Sequence, residues 1–336
     1  MVRALLVADT HLGLELPQRP RTERLRRGRD FFANFERALE PAFRGEVDLV
    51  VHGGDLLYRS RVAGGLVAMA LEPLLQVADT GVPVLLVPGN HERSRLPFPL
   101  LAAHRHLHVF DRPRAFVLPV AGSTVVACGF PCEREDIRDR FAARLAATQP
   151  PPGDLRLLCL HQTVEGATVG PAGYVFRAGA DVLPGRAIPA GFAAVLAGHI
   201  HRHQVLTRDL SGRKLAAPVV YPGSVERTGF AERDEPKGYL VLELEPSAVG
   251  GRLARWEFCE LPTRPMRIVS LFADGLRATA LRERLAAALA PLPPDAVVQV
   301  RLQGVVTSEA KDALHAAELR RVHPPTMIVE LRFPVP

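Results

Sequence analysis

Three apolar runs alternate with helix-like segments in the first 90 residues, and this alternation most constrains the fold. The runs are Val2–Ala8, the start of VDLVVHGGD (47–55) and the start of VPVLLVPGN (82–90), and helical segments at about 28–42 and 62–79 separate them. Nearly continuous aliphatic runs are typical of parallel strands that are buried on both faces. The sequence therefore predicts an α/β fold in which helices cover a buried sheet.

The chain between residues 91 and 261 is predicted to form a second sheet. Strand-like runs lie at 115–120, 123–130, 155–160 and 193–197, with one amphipathic helix at about 133–147. The later runs AAPVVYPGS and KGYLVLELE add further strands. We therefore predict a two-sheet β-sandwich that is flanked by helices.

Two prolines, Pro262 and Pro265, mark a linker after this region. The residues that follow have a strand, helix, strand, helix, strand pattern between 266 and 333. We therefore predict two domains, a large one over residues 1–261 and a small C-terminal α+β cap over residues 262–336.

The composition places the chain among soluble proteins with a basic balance. No apolar run approaches the roughly 20 residues that a membrane helix needs, and no signal peptide is visible, so we expect a cytoplasmic protein without a membrane contact. The four cysteines are scattered and indicate free thiols. The net charge of +6 favours a polyanionic partner, although charge alone says nothing about chemistry.

Polar residues of the types that bind metals follow the strand-like runs. They are Asp9 and His11 in VADTHLG, Asp55 in HGGD, Asn90 and His91 in GNHE, His161 in LCLHQT, and His199 and His201 in AGHIH. Residues just beyond the carboxyl ends of strands line the ligand crevice of an α/β sheet. Carboxylate, imidazole and amide ligands suit divalent Mn, Fe or Zn. So many ligands require two ions with a bridging carboxylate, an arrangement that hydrolyses phosphoesters.

The chain contains, in this order, the motifs D-x-H, G-D, G-N-H-E, a lone His and G-H-x-H. This ordered set resembles the signature of the calcineurin-like metallophosphoesterases, and the resemblance covers residues 1 to about 245. The resemblance implies two divalent ions, for which we expect Mn. One ion would be held by Asp9, His11, Asp55 and His201, and the other by Asp55, Asn90, His161 and His199. Asp55 would bridge the ions, and His91 would contact the phosphate and act as the general acid. The participation of His52 and His203 stays open.

Three segments resemble the SbcD-type DNA repair exonucleases. They are YPGSVERTGFAERDEPKGYLVLELE (221–245), HGGDLLYRS … GNHERS, and the helical start RLRRGRDFFANFERALEPAF. These are bacterial and archaeal relatives of the eukaryotic meiotic-recombination nuclease. The resemblance implies a metal-dependent DNA exonuclease or endonuclease of double-strand-break repair. It also implies a homodimer, built through the helix at about 62–79, and a partner of the SMC-like ABC ATPase class (SbcC type) or another ATPase. The C-terminal docking segment usual in that group is not visible before Pro336.

Arginines near the motifs are candidates for DNA contacts. Six arginines and one glutamate lie between Arg19 and Arg29, just after His11. Arginine contacts to phosphates supply the sequence-independent part of DNA binding. The candidates are Arg24, Arg26, Arg27, Arg202 and Arg227, and a solvated surface without a ligand is the alternative interpretation.

Two other functions fit the same motifs. A phosphodiesterase or phosphatase that acts on small nucleotides or phosphoproteins would use the same metal chemistry, because the motifs fix the reaction and not the substrate. A catalytically silent scaffold would keep the fold alone. The complete set of ligands argues against the scaffold.

Overall fold

The computed structural model describes residues 1–16, 27–92, 96, 101, 103–312 and 314–333. These residues form two compact units. The first comprises Met1–Leu14, Gly28–Thr228 and Glu235–Pro262, and the second comprises the described residues of Glu15–Arg27, Gly229–Asp234 and Thr263–Pro336. The second unit therefore takes up two segments from within the large predicted domain, in addition to the chain after Pro262.

The first unit contains sixteen described strands and three α-helices. In chain order they are β1 Val2–Val7, α1 Gly28–Phe43, β2 Leu49–His52, α2 Gly64–Asp79, β3 Val84–Leu86, β4 Leu107–Val109, β5 Arg114–Val120, β6 Ser123–Gly129, α3 Ile137–Ala146, β7 Leu155–His161, β8 Thr163–Val164, β9 Thr168–Val169, β10 Tyr174–Val175, β11 Val182–Leu183, β12 Ala194–Gly198, β13 Gln204–Arg208, β14 Lys214–Tyr221, β15 Gly238–Glu245 and β16 Arg252–Glu260. A short 3-10 helix covers Gly185–Ala187.

These strands form two six-stranded mixed sheets. The first has the order β16-β15-β1-β2-β3-β4 and the second has the order β13-β14-β12-β7-β6-β5. Strands β1 to β4 run parallel, whereas β15 and β16 pair antiparallel at one edge. The late run KGYLVLELE thus joins the first sheet beside β1. The predicted two-sheet architecture with flanking helices is confirmed.

Alternation along β1 explains how the first sheet is buried on both faces. Ala4 and Leu6 pack in a core with residues of the second sheet, such as Leu157, while Leu5 packs with Phe35 of α1. Successive side chains of a strand point to opposite faces, so one strand supplies both cores. A charge at any of these positions would be buried without a partner, which explains why residues 4–8 are all apolar, whereas Arg3 of the same strand is exposed.

Helix α2 packs on the first sheet through Ala70, Leu74 and Val77, which are buried in the core of that side. Met69 lies on the other side of the helix, and 49% of its surface is exposed. The apolar side chains of α2 therefore pack mainly in the core. An interface with a second copy would have to use the exposed side with Met69.

The second unit holds a three-stranded sheet. Its elements are β17 Met266–Phe272, α4 Ala278–Leu289, β18 Val297–Gln303, α5 Ser308–Asp312, α6 Ala316–Leu319 and β19 Ile328–Arg332. The three strands are parallel in the order β17-β18-β19. Two short helices, α5 and α6, lie between β18 and β19, where the sequence pattern predicted a single helix. The amide of Leu314 donates to the carbonyl of Lys311 at 3.1 Å. None of the helices in the described part of the chain has the length and apolar character of a membrane span.

Candidate active site

The residues predicted as metal ligands converge in the first unit, where strands of both sheets end. Asp9 and His11 follow β1, Asp55 follows β2, Asn90 and His91 follow β3, His161 ends β7, and His199 and His201 follow β12. Three groups of histidine and carboxylate ligand atoms lie within 4.8 Å of one another there. They are Asp9, His11 and His201; Asp55, His161 and His199; and His11, Asp55 and His91.

Four of these residues have a left-handed backbone. The φ angles are 51° at Asp9, 44° at His11, 51° at Asp55 and 87° at His199. A positive φ is uncommon for residues other than glycine and costs on the order of 1–3 kcal/mol. Such strain persists where surrounding contacts fix the backbone, and it is concentrated at functional sites. The turns after β1, β2 and β12 are therefore built to aim these side chains inward.

The first group is formed by Asp9, His11 and His201. The Nε2 atoms of His11 and His201 are 2.9 Å apart, and Nε2 of His201 is 4.0 Å from Oδ1 of Asp9. The ammonium group of Lys237, which is buried, donates to the carbonyl of His201 at 2.9 Å. Two imidazole nitrogens and a carboxylate that face one another are a donor set for a divalent cation.

The second group is formed by Asp55, His161 and His199, and Asn90 adds an amide oxygen. Oδ1 of Asn90 is 3.2 Å from Nε2 of His161 and 3.1 Å from Nδ1 of His199. Nδ1 of His161 lies 2.8 Å from the carbonyl of Gly53, so we assign the ring proton to Nδ1. Nε2 then faces Oδ2 of Asp55 at 3.4 Å, and it would offer its lone pair to a bound metal, as in a metal-binding histidine held by a backbone carbonyl.

His91 lies at the outer side of the cluster. Its Nε2 is 3.6 Å from Oδ2 of Asp55, and its backbone amide donates to Oδ1 of the same carboxylate at 3.1 Å. The side chain of His91 is 31% exposed, whereas that of His161 is fully buried. His91 is therefore placed to reach both the cluster and a ligand that arrives from solvent.

Burial and mutual charge shift the pKa values of the cluster in both directions. Burial lowers the pKa of His11 and of His199 to about 3, so both imidazoles stay neutral with free lone pairs. Burial raises the pKa of Asp9 to about 6. Burial would also raise the pKa of Asp55, but the adjacent His161 lowers it well below its usual range. Burial would lower the pKa of His161, but the charge of Asp55 raises it to about 9, so a divalent ion bound there would displace the extra proton of that ring.

The glycines of the motifs give the ligands room. A Cβ atom on Gly89 would overlap both Oδ1 and the backbone nitrogen of Asp55. A Cβ atom on Gly54, whose φ is 107°, would overlap Nδ1 of His161. The backbone of each turn thus touches the next ligand, which only glycine permits.

We expect Gly89→Ala to lower the metal content of the purified protein, because the added methyl group must displace Asp55. The matched control is Gly81→Ala, at a turn with a φ of 94° where the added Cβ would contact nothing within 4 Å. Elemental analysis of both variants after dialysis against Mn²⁺ measures the effect. Equal metal content in the two variants would show that the turn tolerates the methyl group.

Glu92 is a buried residue at the site to which the sequence analysis gave no role. Its carboxylate accepts hydrogen bonds from the backbone amides of Leu57 at 2.8 Å and Gly89 at 2.7 Å. Burial, together with the charge of Asp55, raises its pKa to about 8. Glu92 therefore ties the turn after Asp55 to the turn that carries Asn90. Its place in the G-N-H-E motif was the available signal.

His52 and His203 lie outside the three ligand groups of the described residues. The ring of His52 is buried, accepts from the amide of Gly54 at 3.2 Å and lies 3.2 Å from the hydroxyl of Thr10. Nδ1 of His203 is 3.0 Å from the carbonyl of Tyr221, and its ring stacks on Phe258 at a centroid distance of 4.4 Å. Both histidines therefore have structural partners.

The arginines proposed for DNA binding receive little support from their contacts. Arg24 and Arg26 lie outside the described residues. Arg27 is 2% exposed and forms an ion pair with Glu15. The guanidinium of Arg202 donates to the side chain of Glu235, and that of Arg227 donates to the carbonyl of the same residue. DNA contact by these five arginines stays a prediction.

Comparison with known proteins identifies the family of the chain. A model of the calcineurin-like phosphoesterases matches residues 2–203, a range that includes every candidate ligand described above. The chain is similar to three archaeal proteins named DNA double-strand break repair protein Mre11. That of Haloferax volcanii is 30% identical over 279 residues, 82% of this chain and 56% of that protein. That of Saccharolobus solfataricus is 24% identical over 214 residues, 62% of this chain and 52% of that protein.

The third, from Archaeoglobus fulgidus, is 27% identical over 351 aligned positions, which cover 97% of this chain and 73% of that protein. The chain thus spans little more than half the length of the first two relatives. The family match extends over more than half of the chain's 336 residues and over the whole ligand cluster. This chain belongs to the calcineurin-like phosphoesterase family.

Proposed function

We propose that this chain is a metal-dependent DNA nuclease that hydrolyses phosphodiester bonds in double-strand-break repair. The observation that carries the proposal is the pair of adjacent ligand groups, one around Asp9 and one around Asp55, with the partly exposed His91 beside them. A single structural ion would need only one closed group of ligands. Two adjacent ligand groups beside a histidine that faces solvent instead fit a catalytic metal centre that a substrate can reach.

The residues of the first group, with Asp55 shared, would hold one divalent ion, and Asp55, Asn90, His161 and His199 would hold the other. Two such ions, with Mn²⁺ as the expected metal, supply Lewis acidity and an activated water for in-line attack on phosphorus. His91 would contact the phosphate and hand a proton to the leaving oxygen. Glu92 would keep the turns of Asp55 and Asn90 in register through its two backbone hydrogen bonds.

DNA is the proposed substrate because of the likeness to proteins named for the repair of DNA double-strand breaks. The resemblance to SbcD-type nucleases further suggests a homodimer and an SMC-like ABC ATPase of the SbcC type, or another ATPase, as partner. The exposed side of α2 that carries Met69 is where a second copy would pack. The cytoplasm is the compartment that such a substrate implies.

The test is hydrolysis of end-labelled DNA and of bis-p-nitrophenyl phosphate with Mn²⁺ and with EDTA. We expect Mn²⁺-dependent cleavage of both substrates, which EDTA abolishes, because both reactions need the same metal centre. Cleavage of the small ester beside inert DNA would favour a phosphodiesterase for small nucleotides. Metal-dependent activity on neither substrate would favour a silent scaffold.

A further inference from the structure

Arg134 is a cation beside the candidate centre that the motifs do not include. It lies in the turn between β6 and α3, and its guanidinium donates to the backbone carbonyl of Asn90 at 3.3 Å. The side chain is exposed. Within the described residues it forms no ion pair with a carboxylate, and the bond to Asn90 is its only hydrogen bond. Most of its donors are thus directed to solvent at the rim of the site.

The turn that carries Arg134 is fixed to the centre on two sides. The amide of Cys132 donates to the carbonyl of Pro88 at 2.9 Å, just before the segment of Asn90. The side-chain amide of Gln162, the residue after a candidate ligand, donates to the carbonyl of Glu133 at 3.0 Å. These bonds hold the neighbours of Arg134 in place, so its guanidinium is presented from a fixed backbone.

Arg134 lies beside His91 in the structure. Its guanidinium donates to the carbonyl of Asn90, the residue directly before the histidine that we assign to the phosphate. A guanidinium stays charged at every physiological pH and offers five donors in a planar fork that matches phosphate oxygens.

We propose that Arg134 binds a non-bridging oxygen of the scissile phosphodiester, an inference that rests on the proposed phosphodiesterase chemistry. One arm of the guanidinium is held by the carbonyl of Asn90, and the remaining donors meet the phosphate. Negative charge on the non-bridging oxygens must be balanced during attack, and a pre-positioned cation stabilises it without reorganisation. The alternative is a structural clamp in which Arg134 only fixes Asn90.

The variants Arg134→Gln and Arg134→Lys separate the two roles. Gln removes the charge but keeps a donor for the carbonyl of Asn90, and Lys keeps the charge without the fork. Arg140→Gln is the matched control, because Arg140 is an exposed arginine of the adjacent helix α3 that contacts no candidate ligand. The readouts are kcat/KM for bis-p-nitrophenyl phosphate and for DNA, inhibition by inorganic phosphate, and metal content.

We expect Arg134→Gln to lower kcat/KM for both substrates by about ten- to a hundredfold, the range for a lost hydrogen bond to a charged group. Inhibition by inorganic phosphate should weaken about tenfold, with metal content unchanged. Arg134→Lys should recover part of the loss, and Arg140→Gln should match the parent. Unchanged phosphate inhibition, or a rate loss that follows a loss of metal, would overturn the assignment in favour of the clamp.

Bis-p-nitrophenyl phosphate also distinguishes a failure of this inference from a failure of the nuclease proposal. If the parent protein hydrolyses bis-p-nitrophenyl phosphate but not DNA, the nuclease proposal fails. A loss in the Arg134→Gln variant on the small ester would still support the phosphate contact, and an unchanged rate on that ester would overturn it.

Discussion

Replacing Asp55 with Ala is expected to remove at least one metal ion and to lower DNA cleavage by roughly a thousandfold or more. Its carboxylate belongs to two of the three ligand groups, and its Oδ2 lies 3.4 Å from Nε2 of His161. A divalent ion contributes several kcal/mol of charge stabilisation to such a transition state, and each 1.4 kcal/mol is about tenfold in rate. Metal stoichiometry and single-turnover rates measure the two effects.

Asp79→Ala is the control for this variant. Asp79 is an aspartate at the end of α2 whose side chain is 72% exposed and pairs with His104, and it belongs to none of the ligand groups. It should keep the metal content and the rate of the parent. An Asp55→Ala protein that retains two ions and the parent rate would show that this carboxylate does not bridge.

His91→Ser should have the second largest effect, with a different signature. The loss of general-acid catalysis typically costs about a hundredfold or more in turnover. His91 contacts the cluster from its exposed side, and its ring lies 3.6 Å from Asp55, so we expect the metal content and the affinity for DNA to survive. Rapid-quench measurement of cleavage beside elemental analysis distinguishes this outcome from the Asp55 variant.

His106→Ser is a suitable comparison, because His106 is a partly buried histidine that lies in none of the ligand groups. If the His91 variant loses an ion as readily as the Asp55 variant, then His91 is a ligand and our division of roles is wrong. If it cleaves DNA at the parent rate, His91 is only a neighbour of the site.

The main features of the fold could be predicted because the apolar runs are long and regular. The runs of β1, β2 and β3 contain few residues that a buried strand would exclude, and each ends at a turn with ligand-type residues. The pairing of β15 with β1 was not predictable in this way. It joins residues more than 230 positions apart, and no local pattern encodes such a contact.

Within the site, the motifs predicted which residues would be candidate ligands, but they did not predict the contacts that hold these residues in place. The left-handed backbone of Asp9 and the burial of Glu92 depend on tertiary contacts with other turns. For the arginine tract the charge count predicted DNA contacts, with a solvated surface as the alternative, and Arg27 is instead buried against Glu15. Arginine is almost never fully buried unless it is paired, and sequence spacing does not reveal the carboxylate that pairs with it.

Anomalous diffraction from crystals soaked in Mn²⁺ and measured at the manganese edge tests the central claim most directly. We predict two peaks per chain, separated by roughly 3.5–4 Å. One should lie among Asp9, His11 and His201 and the other among Asp55, His161 and His199, with Asp55 between them. A single peak, or peaks away from these residues, would contradict the assignment of a dinuclear centre.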